Sequence, residues 1–292
     1  MTKKTNGLRL LIYFILTCWA ILQLYPLFFM MINSVKTNAE YVTDTMALPK
    51  APTLENYIYA WRGASGETVK NYSALKMSGN MATAFRNSFF VTAVGLVMLC
   101  TVSTMAGYAQ ARLDFRGRTK FYTLIVWMLA IPGQALLIPI FRMCAELKLT
   151  NNLLLLSILY ATFALPSATI TMKANLEAIP HEIEEAASLD GCNKWMTFWH
   201  VVLPMSKGLI ATIAVLNMNF MWSELMYANV LMTKNEARTI SSALVSLMAS
   251  QFNYSPAGLM AGVAITSLPI LILYSFCQSK IMKSMTAGAI KE

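Results

Sequence analysis

Charged residues are scarce in this sequence. Only 13% of its 292 residues are Asp, Glu, Lys or Arg, whereas 57% are hydrophobic. A soluble domain of this length can bury a core, but it does not need so many long uncharged runs. A membrane-spanning helix requires about 20 apolar residues, and several runs reach that length. The scarcity of charge therefore excludes a soluble globular protein and predicts an all-α integral membrane protein.

The sequence also lacks the residue patterns of common enzyme and metal sites. It has no GxxxxGKS or GxxxxGKT loop, so we expect no ATP hydrolysis by P-loop chemistry in this chain. It has no Ser/His/Asp arrangement and no paired catalytic carboxylates. The five cysteines form no CxxC pair, and the two histidines lack ligand spacing. We therefore predict no catalytic residue, disulfide framework, metal or cofactor in this chain.

The net charge of +9 is explained by membrane orientation rather than by nucleic-acid binding. The basic residues lie at the ends of apolar runs, and no basic stripe with interleaved aromatic residues occurs. One short loop is strongly basic through Arg112, Arg116, Arg118 and Lys120. The positive-inside rule places this loop in the cytoplasm.

Six apolar runs predict six transmembrane helices with both termini cytoplasmic: 10–32, 87–111, 121–141, 152–172, 208–232 and 257–279. The first run is too long for the hydrophobic region of a signal peptide, so we expect it to be retained. The chain is thus divided into a basic N-terminus and first span at 1–32, an external segment at 33–84 and a five-span core at 85–292. Prolines at 132, 139, 166 and 269 are expected to break spans, either along a transport pathway or as packing kinks.

Residues 177–204 are the longest stretch without membrane character in the C-terminal two-thirds of the chain. Pro180 suits the first position of a short helix that Asp190-Gly191 would end. Asn193 can cap a second helix, which Pro204 would end, and one apolar face of that helix holds Trp195, Phe198, Trp199 and Val202. Two such helices suit docking into a groove of another protein. A loop on the bilayer surface is the alternative, although the acids of the first helix disfavour anionic lipid.

The spacing in this segment resembles the EAA loop of bacterial ABC importer permeases. The matching residues are Glu185, Ala186, Ala187, Asp190, Gly191, Leu203 and Pro204. PTLENY at 52–57 and GYAQARLDFRGR at 107–118 are similar to phrases of carbohydrate-importer permeases of the maltose type. In that family the loop is a coupling helix in a cleft of the ATPase subunit, so the resemblance implies ATPase coupling at 177–204. Cys192 departs from the small residue, usually alanine, expected there.

Glu224 is the ionisable residue that lies well inside a predicted span. A carboxylate at such a depth is costly and should face a cavity or a partner. Asn217 lies two turns earlier on the same helix face, and Tyr227 follows at i+3. With Trp222, which resembles the Trp-x-Glu pattern of the family, these residues are candidates for a sugar pathway. An interhelical hydrogen-bond network that holds two permeases together is an equal alternative.

The resemblance implies two further contacts. In maltose-type importers the external loop before the last span reaches into the binding protein, and Gln251, Phe252, Asn253 and Tyr254 occupy that place. Within the tail at 280–292, Thr286, Ala287 and Gly288 match a sequence that reaches between the two ATPases. An ordinary loop and a frayed terminus are the respective alternatives.

The sequence is thus identified as similar to the TAG-tailed permease of a sugar ABC importer, a multi-pass protein of the bacterial plasma or inner membrane. The resemblance implies a second, related permease, two ATPase subunits that hold ATP and Mg, and an extracytoplasmic sugar-binding protein. An ion-gradient transporter would need paired acids or bases within the spans, and a membrane enzyme would need clustered His, Asp or Cys. A polyol or glycerol phosphate is the alternative substrate, although a phosphate would favour Arg or Lys within the spans.

Overall fold

The computed structural model describes residues 2–62, 81–248 and 255–289. These residues form α-helices with a few 3₁₀ and π turns, and they contain no β-strand. The all-α prediction is confirmed. The physical reason is that a lipid environment offers no hydrogen-bond partners, so each apolar segment must satisfy its own backbone groups.

The helices of the described residues vary widely in length. They are α1 (Thr2–Ser34), α2 (Asn38–Thr43), α3 (Glu55–Arg62), α4 (Met81–Arg112), α5 (Arg118–Met128), α6 (Leu137–Glu146), α7 (Leu153–Glu177), α8 (His181–Leu189), α9 (Lys194–Thr197), α10 (Leu203–Met205), α11 (Lys207–Ser223), α12 (Met226–Leu231), α13 (Ile240–Met248) and α14 (Pro256–Ala289). A π-helical turn, Phe198–Val202, joins α9 to α10, and 3₁₀ turns occupy Gly133–Leu136 and Asn235–Ala237.

Four described helices are long and apolar enough to cross a membrane. They contain the segments Gly7–Ser34, Met81–Arg112, Leu153–Glu177 and Pro256–Phe276. Two bent helix pairs, Arg118–Met128 with Gly133–Glu146 and Lys194–Met205 with Lys207–Ser223, raise the number to six if each pair is one span. The membrane-protein class is confirmed, whereas the count of six spans and the cytoplasmic termini stay predictions.

The predicted third span is interrupted where its proline and glycine occur. α5 ends at Met128, and a 3₁₀ turn from Gly133 to Leu136 precedes α6. The helices on either side are bent by 89°. The predicted fifth span, 208–232, is also two helices, because Glu224 is extended between α11 and α12. That second break is not predicted by any proline or glycine.

Three other prolines do not break their helices, in contrast to the expectation above. Pro139 is the third residue of α6, Pro166 lies inside the continuous helix α7, and Pro269 lies inside α14. A single proline removes only one N–H donor, and membrane helices tolerate that loss. Pro132 is followed directly by Gly133, and this pair is a much stronger break than an isolated proline.

The described residues within 83–242 and 269–292 form one compact unit. Its buried core includes Leu99 of α4 and Met172 of α7. α4 and α7 approach closely at Gly107, where an added Cβ would lie 2.7 Å from Met172 Cγ and 3.1 Å from the backbone N of Lys173. The absence of a side chain at Gly107 is therefore what permits this helix contact.

The described residues within 1–82 and 243–268 form a second compact unit. In it, the start of the predicted external segment is ordered by Asn56, whose Nδ2 donates to the carbonyls of Ser34 at 2.8 Å and Lys36 at 2.6 Å. These bonds hold α3 against the end of α1. Residues 63–80 of the predicted external segment lie outside the described residues.

Candidate functional site

The coupling segment, residues 177–204, contains two helical parts joined at Gly191. α8 begins at His181, directly after Pro180, and ends with Asp190 as its C-cap. Gly191 has a φ of +85°, a left-handed conformation that favours glycine. Asn193 then caps α9, and its side-chain oxygen accepts a hydrogen bond from the Met196 N–H at 2.9 Å. The helix–glycine–helix prediction is confirmed, except that Pro180 is the N-cap residue of α8 and not its first helical residue.

The second helical part continues through Pro204 to Met205, one residue beyond the predicted end. Pro204 has no N–H, so it cannot donate to the carbonyl four residues earlier. The chain accommodates this loss with the π-helical turn from Phe198 to Val202, a wider winding that π-bulges provide inside helices. The direction of the chain then changes by 67° where α11 begins.

Arg112, the last residue of α4, fixes the coupling segment to the helix bundle. Its side chain is only 2% exposed, and its Nε lies 2.8 Å from Oε1 of Glu184, which is 19% exposed. Its Nη2 donates to the backbone carbonyls of Leu176, at 2.8 Å, and of Ile179. A helix C-terminus leaves such carbonyls without intrahelical donors and attracts a cation. One guanidinium therefore joins α4, the end of α7 and α8.

The surroundings of this ion pair complete the anchor. Nη1 of Arg112 lies 2.7 Å from Nε2 of His181, and the Tyr108 hydroxyl donates to Oε2 of Glu184 at 3.4 Å. The Tyr108 ring packs against Phe198, with ring centroids 5.2 Å apart. Glu184 is thus held, whereas Glu185 of the EAA pattern remains exposed.

The predicted single apolar face of the second helix is partly buried and partly exposed. Phe198 and Val202 are buried in the core of the unit. Trp195 and Trp199 face outward, with Trp195 59% exposed, and Leu189 at the end of α8 is 90% exposed. The correction has a simple cause: the positions i and i+4 that carry the tryptophans lie beside, not on, the stripe that contacts the core. The outward surface of the coupling segment is therefore aromatic and apolar next to the exposed acids.

Glu224 lies at the break between α11 and α12 and acts as a helix cap. Its carboxylate accepts hydrogen bonds from the backbone N–H groups of Tyr227, at 3.0 Å, and Ala228, at 3.2 Å. The N-terminus of α12 provides both donors and a favourable dipole for a negative charge. The hydroxyl of Tyr160 on α7 donates to the same carboxylate at 2.5 Å.

Tyr227 connects this break to the other broken span. Its hydroxyl donates to the backbone carbonyl of Gly133 at 2.6 Å, in the 3₁₀ turn between α5 and α6. Its ring lies 5.0 Å from that of Phe163. Two interrupted helices thus meet at a hydrogen-bonded point lined by aromatic side chains. Interrupted spans of this kind are tolerated where neighbouring protein groups or a cavity satisfy the backbone.

The structure does not place all four pathway candidates in this network. Glu224 and Tyr227 are directly connected. Asn217 donates to the carbonyl of Ile213 in its own helix at 2.8 Å. Trp222 is buried, and its ring lies 5.3 Å from that of Phe85 in an edge-to-face contact. The expected polar stripe from Asn217 to Tyr227 is interrupted because α11 ends at Ser223.

The structure does not test the two other sets of candidate residues. Residues 251–254, the candidates for binding-protein contact, lie outside the described residues. Thr286, Ala287 and Gly288 belong to the C-terminal end of α14. Their proposed contact with the ATPases stays a prediction.

The sequence patterns do not single out Glu184 or Tyr160 as functional, and they assign Arg112 only a role in orientation. They predict that Gly133, together with Pro132, interrupts the third span, either along a transport pathway or as a packing kink. A signal for Arg112 did exist, since an arginine that ends an apolar span is well placed to meet helix C-termini. Tyr160 gave no such signal, because one tyrosine in an apolar run is common.

Comparisons with known proteins define the class. A family model described as "Binding-protein-dependent transport system inner membrane component" matches residues 101–286, from α4 into α14. The chain belongs to this family. It is therefore a multi-pass membrane permease of the ABC importer type, as its resemblance to such permeases implied, and the ion-gradient alternative is not favoured.

Three relatives match almost the whole chain. A protein of Caldicellulosiruptor sp. (strain Rt8B.4), named as an ABC transporter permease protein, is 32% identical over 281 residues, with 96% of each chain covered. A diacetylchitobiose uptake system permease protein of Streptomyces coelicolor is 26% identical, with 95% of this chain and 87% of that protein covered. An arabinooligosaccharides transport system permease protein of Halalkalibacterium halodurans is 28% identical, with 93% and 92% covered.

A solved structure has the same fold. It is the crystal structure of a bacterial ABC transporter involved in the import of the acidic polysaccharide alginate, and one of its chains is 22% identical to this chain with a TM-score of 0.78. The match covers 96% of this chain and 98% of that chain. The arrangement of helices described above is therefore that of an ABC importer permease.

Proposed function

We propose that this chain is the transmembrane permease subunit of an ATP-driven importer of neutral oligosaccharides. Relatives named for diacetylchitobiose and arabinooligosaccharides match more than 90% of the chain, which supports a sugar. None of the six predicted spans contains Lys or Arg, which a phosphorylated substrate such as glycerol phosphate would favour. The chain then forms half of the translocation pathway, and ATP and Mg belong to a partner ATPase.

The Arg112 anchor is the observation that carries this proposal. A segment that only rested on the bilayer would not need a buried ion pair to the end of α4 and hydrogen bonds to the end of α7. With Glu184 held, force applied to the exposed surface at Glu185, Leu189 and Trp195 reaches both long helices through one side chain. This arrangement suits an ATPase that moves the coupling segment as a rigid body.

The hydrogen bonds that join Glu224, Tyr160, Tyr227 and Gly133 form the Glu224 network. We propose that this network lies on the translocation pathway and moves when the ATPase moves the coupling segment. The breaks in the third and fifth predicted spans meet at the Tyr227–Gly133 hydrogen bond. Broken helices near the membrane midplane are places where transporters bind substrates and alternate between inward and outward access. The polar groups and aromatic rings around Tyr160, Phe163 and Tyr227 suit a sugar, whose hydroxyls need hydrogen bonds and whose ring faces stack on aromatic side chains.

The partners of this permease follow from the same proposal. We expect a second, related permease, two ATPase subunits and an extracytoplasmic sugar-binding protein. Gln251, Phe252, Asn253 and Tyr254 would contact the binding protein. Thr286, Ala287 and Gly288 would contact the ATPases.

The test is an ATPase and uptake assay on the reconstituted complex, with and without sugar-loaded binding protein. Gly191→Pro is incompatible with a φ of +85°, and Glu185→Lys reverses an exposed charge of the coupling segment. Both variants should lose stimulation of the ATPase by loaded binding protein. Glu146→Lys, the same charge change at the exposed end of α6, is the matched control and should behave as wild type.

The contrary outcome is equally clear. If the chain moves sugar without any ATPase partner and both coupling-segment variants behave as wild type, the segment is a surface loop and the proposal fails.

A further inference from the structure

The turn formed by residues 44–50, here called the Asp44 turn, folds back along α1. The Tyr25 hydroxyl donates to the sulfur of Met46 at 3.2 Å. Tyr25 lies seven residues before Ile32, the end of the first apolar run, which is about 10 Å along a helix. Long side chains of a helix lean toward its N-terminus, so the Tyr25 hydroxyl lies no nearer to Ile32 than Tyr25 itself does. The sulfur of Met46, at the tip of the turn, therefore lies beside the apolar part of α1 and not beyond the end of the apolar run.

A buried lysine holds the turn in this position. Lys36 is fully buried, and its Nζ donates to the carbonyls of Asp44 at 3.0 Å and Thr45 at 3.1 Å. Oδ1 of Asp44 accepts the N–H groups of Met46 at 2.9 Å and Ala47 at 3.0 Å. These two bonds hold the pKa of Asp44 below its ordinary value, so its carboxylate stays charged. A buried ammonium is costly unless its hydrogen bonds are made, so the turn is a firmly ordered feature.

The ordered turn presents apolar side chains outward. Met46 is 71% exposed and Leu48 is 68% exposed. Charged Asp44 and Lys50 flank them at the two ends of the turn. An apolar tip between charged ends is typical of segments that lie at a membrane interface.

We propose that the Asp44 turn is a lipid-interface anchor, in which Met46 and Leu48 enter the leaflet that surrounds the C-terminal end of α1. The proposal rests on the membrane class of the protein and not on its substrate. The Asp44 turn adjoins the exposed surface of α1. Leu22 and Leu24 project about 200° apart on that helix, and both are exposed. A soluble binding protein docks outside the lipid and cannot reach this depth. A second permease that covers the turn is the rival occupant.

The test measures the depth of Leu48 in the full complex, reconstituted into vesicles of phosphatidylethanolamine and phosphatidylglycerol. A spin label is placed at Leu48→Cys in a chain whose five cysteines are replaced. Its collision rates with oxygen, which is enriched in lipid, and with a water-soluble nickel chelate are then compared. Glu55→Cys, an exposed position at the start of α3, is the matched control.

We expect the Leu48 label to favour oxygen over the nickel chelate by about tenfold relative to the Glu55 label. Adding Lys36→Met should remove this difference, because the turn loses the ammonium that positions it. Equal access of the chelate to both labels overturns the proposal. Protection of the Leu48 label from both reagents in the complex also overturns it, in favour of a protein partner.

A second measurement tests the same depth if the cysteine-free chain does not assemble. An environment-sensitive fluorescent amino acid is incorporated at position 48 of the otherwise native chain, and brominated lipids are added. Quenching at 48 but not at 55 supports the anchor, and equal absence of quenching at both positions contradicts it.

Discussion

Replacement of Arg112 is the sharpest test of how this permease transmits motion. Arg112→Met keeps much of the apolar length of the side chain but removes an ion pair with Glu184 and two bonds to the carbonyls of Leu176 and Ile179. Removing one partner of a buried pair costs about 3–5 kcal/mol. Glu184 is 19% exposed and can regain some hydration, so we take the lower end, about 3 kcal/mol.

This energy should appear as local opening of α8 rather than as global unfolding, since α8 has few other buried residues. About 3 kcal/mol corresponds to roughly a hundredfold increase in the opening equilibrium. Hydrogen–deuterium exchange of the amides from Glu185 to Cys192 measures it directly. The expected result is exchange about two orders of magnitude faster than in wild type, together with loss of ATPase stimulation.

The design includes its own controls. Arg116→Met removes an exposed arginine of the same loop and should leave exchange unchanged. Arg112→Lys retains the charge but not the fork geometry, so its effect should be intermediate. If Arg112→Met exchanges within about fivefold of wild type, where the cost estimated for the lost pair predicts a hundredfold, Arg112 is not the anchor of α8.

Three further substitutions test the remaining geometry. Glu224→Ala should lower sugar uptake by about fivefold without preventing assembly, because α12 loses a cap worth about 1 kcal/mol. Glu224→Gln keeps an acceptor and should keep much of the activity, and uptake in vesicles measures both variants. Gly191→Ala meets no steric clash but strains a left-handed residue by about 1–2 kcal/mol, so ATPase stimulation should fall without vanishing, and unchanged stimulation would contradict this. Gly107→Ala should destabilise the protein by about 1–3 kcal/mol through contact with Met172, whereas Gly208→Ala, with open space around it, should not; thermal unfolding in detergent compares them.

Local features of the coupling segment could be predicted from sequence because they depend on neighbouring residues alone. A glycine after an acidic helix end and an asparagine before the next helix specify the turn at Gly191 through backbone conformation and capping. The same is true of the break at Pro132-Gly133. The break at Glu224 could not be predicted this way, because no residue there disrupts a helix by itself.

What the sequence by itself determined is the class of the protein: long uncharged runs can only be buried in lipid, and the EAA spacing is contained in one short stretch. What only the tertiary structure decided is which side chains act together. Arg112 meets Glu184 across 72 positions of sequence, and Tyr227 meets Gly133 across 94. Such pairs depend on how whole helices pack, and packing is set by the fit of many side chains at once rather than by the identity of any one.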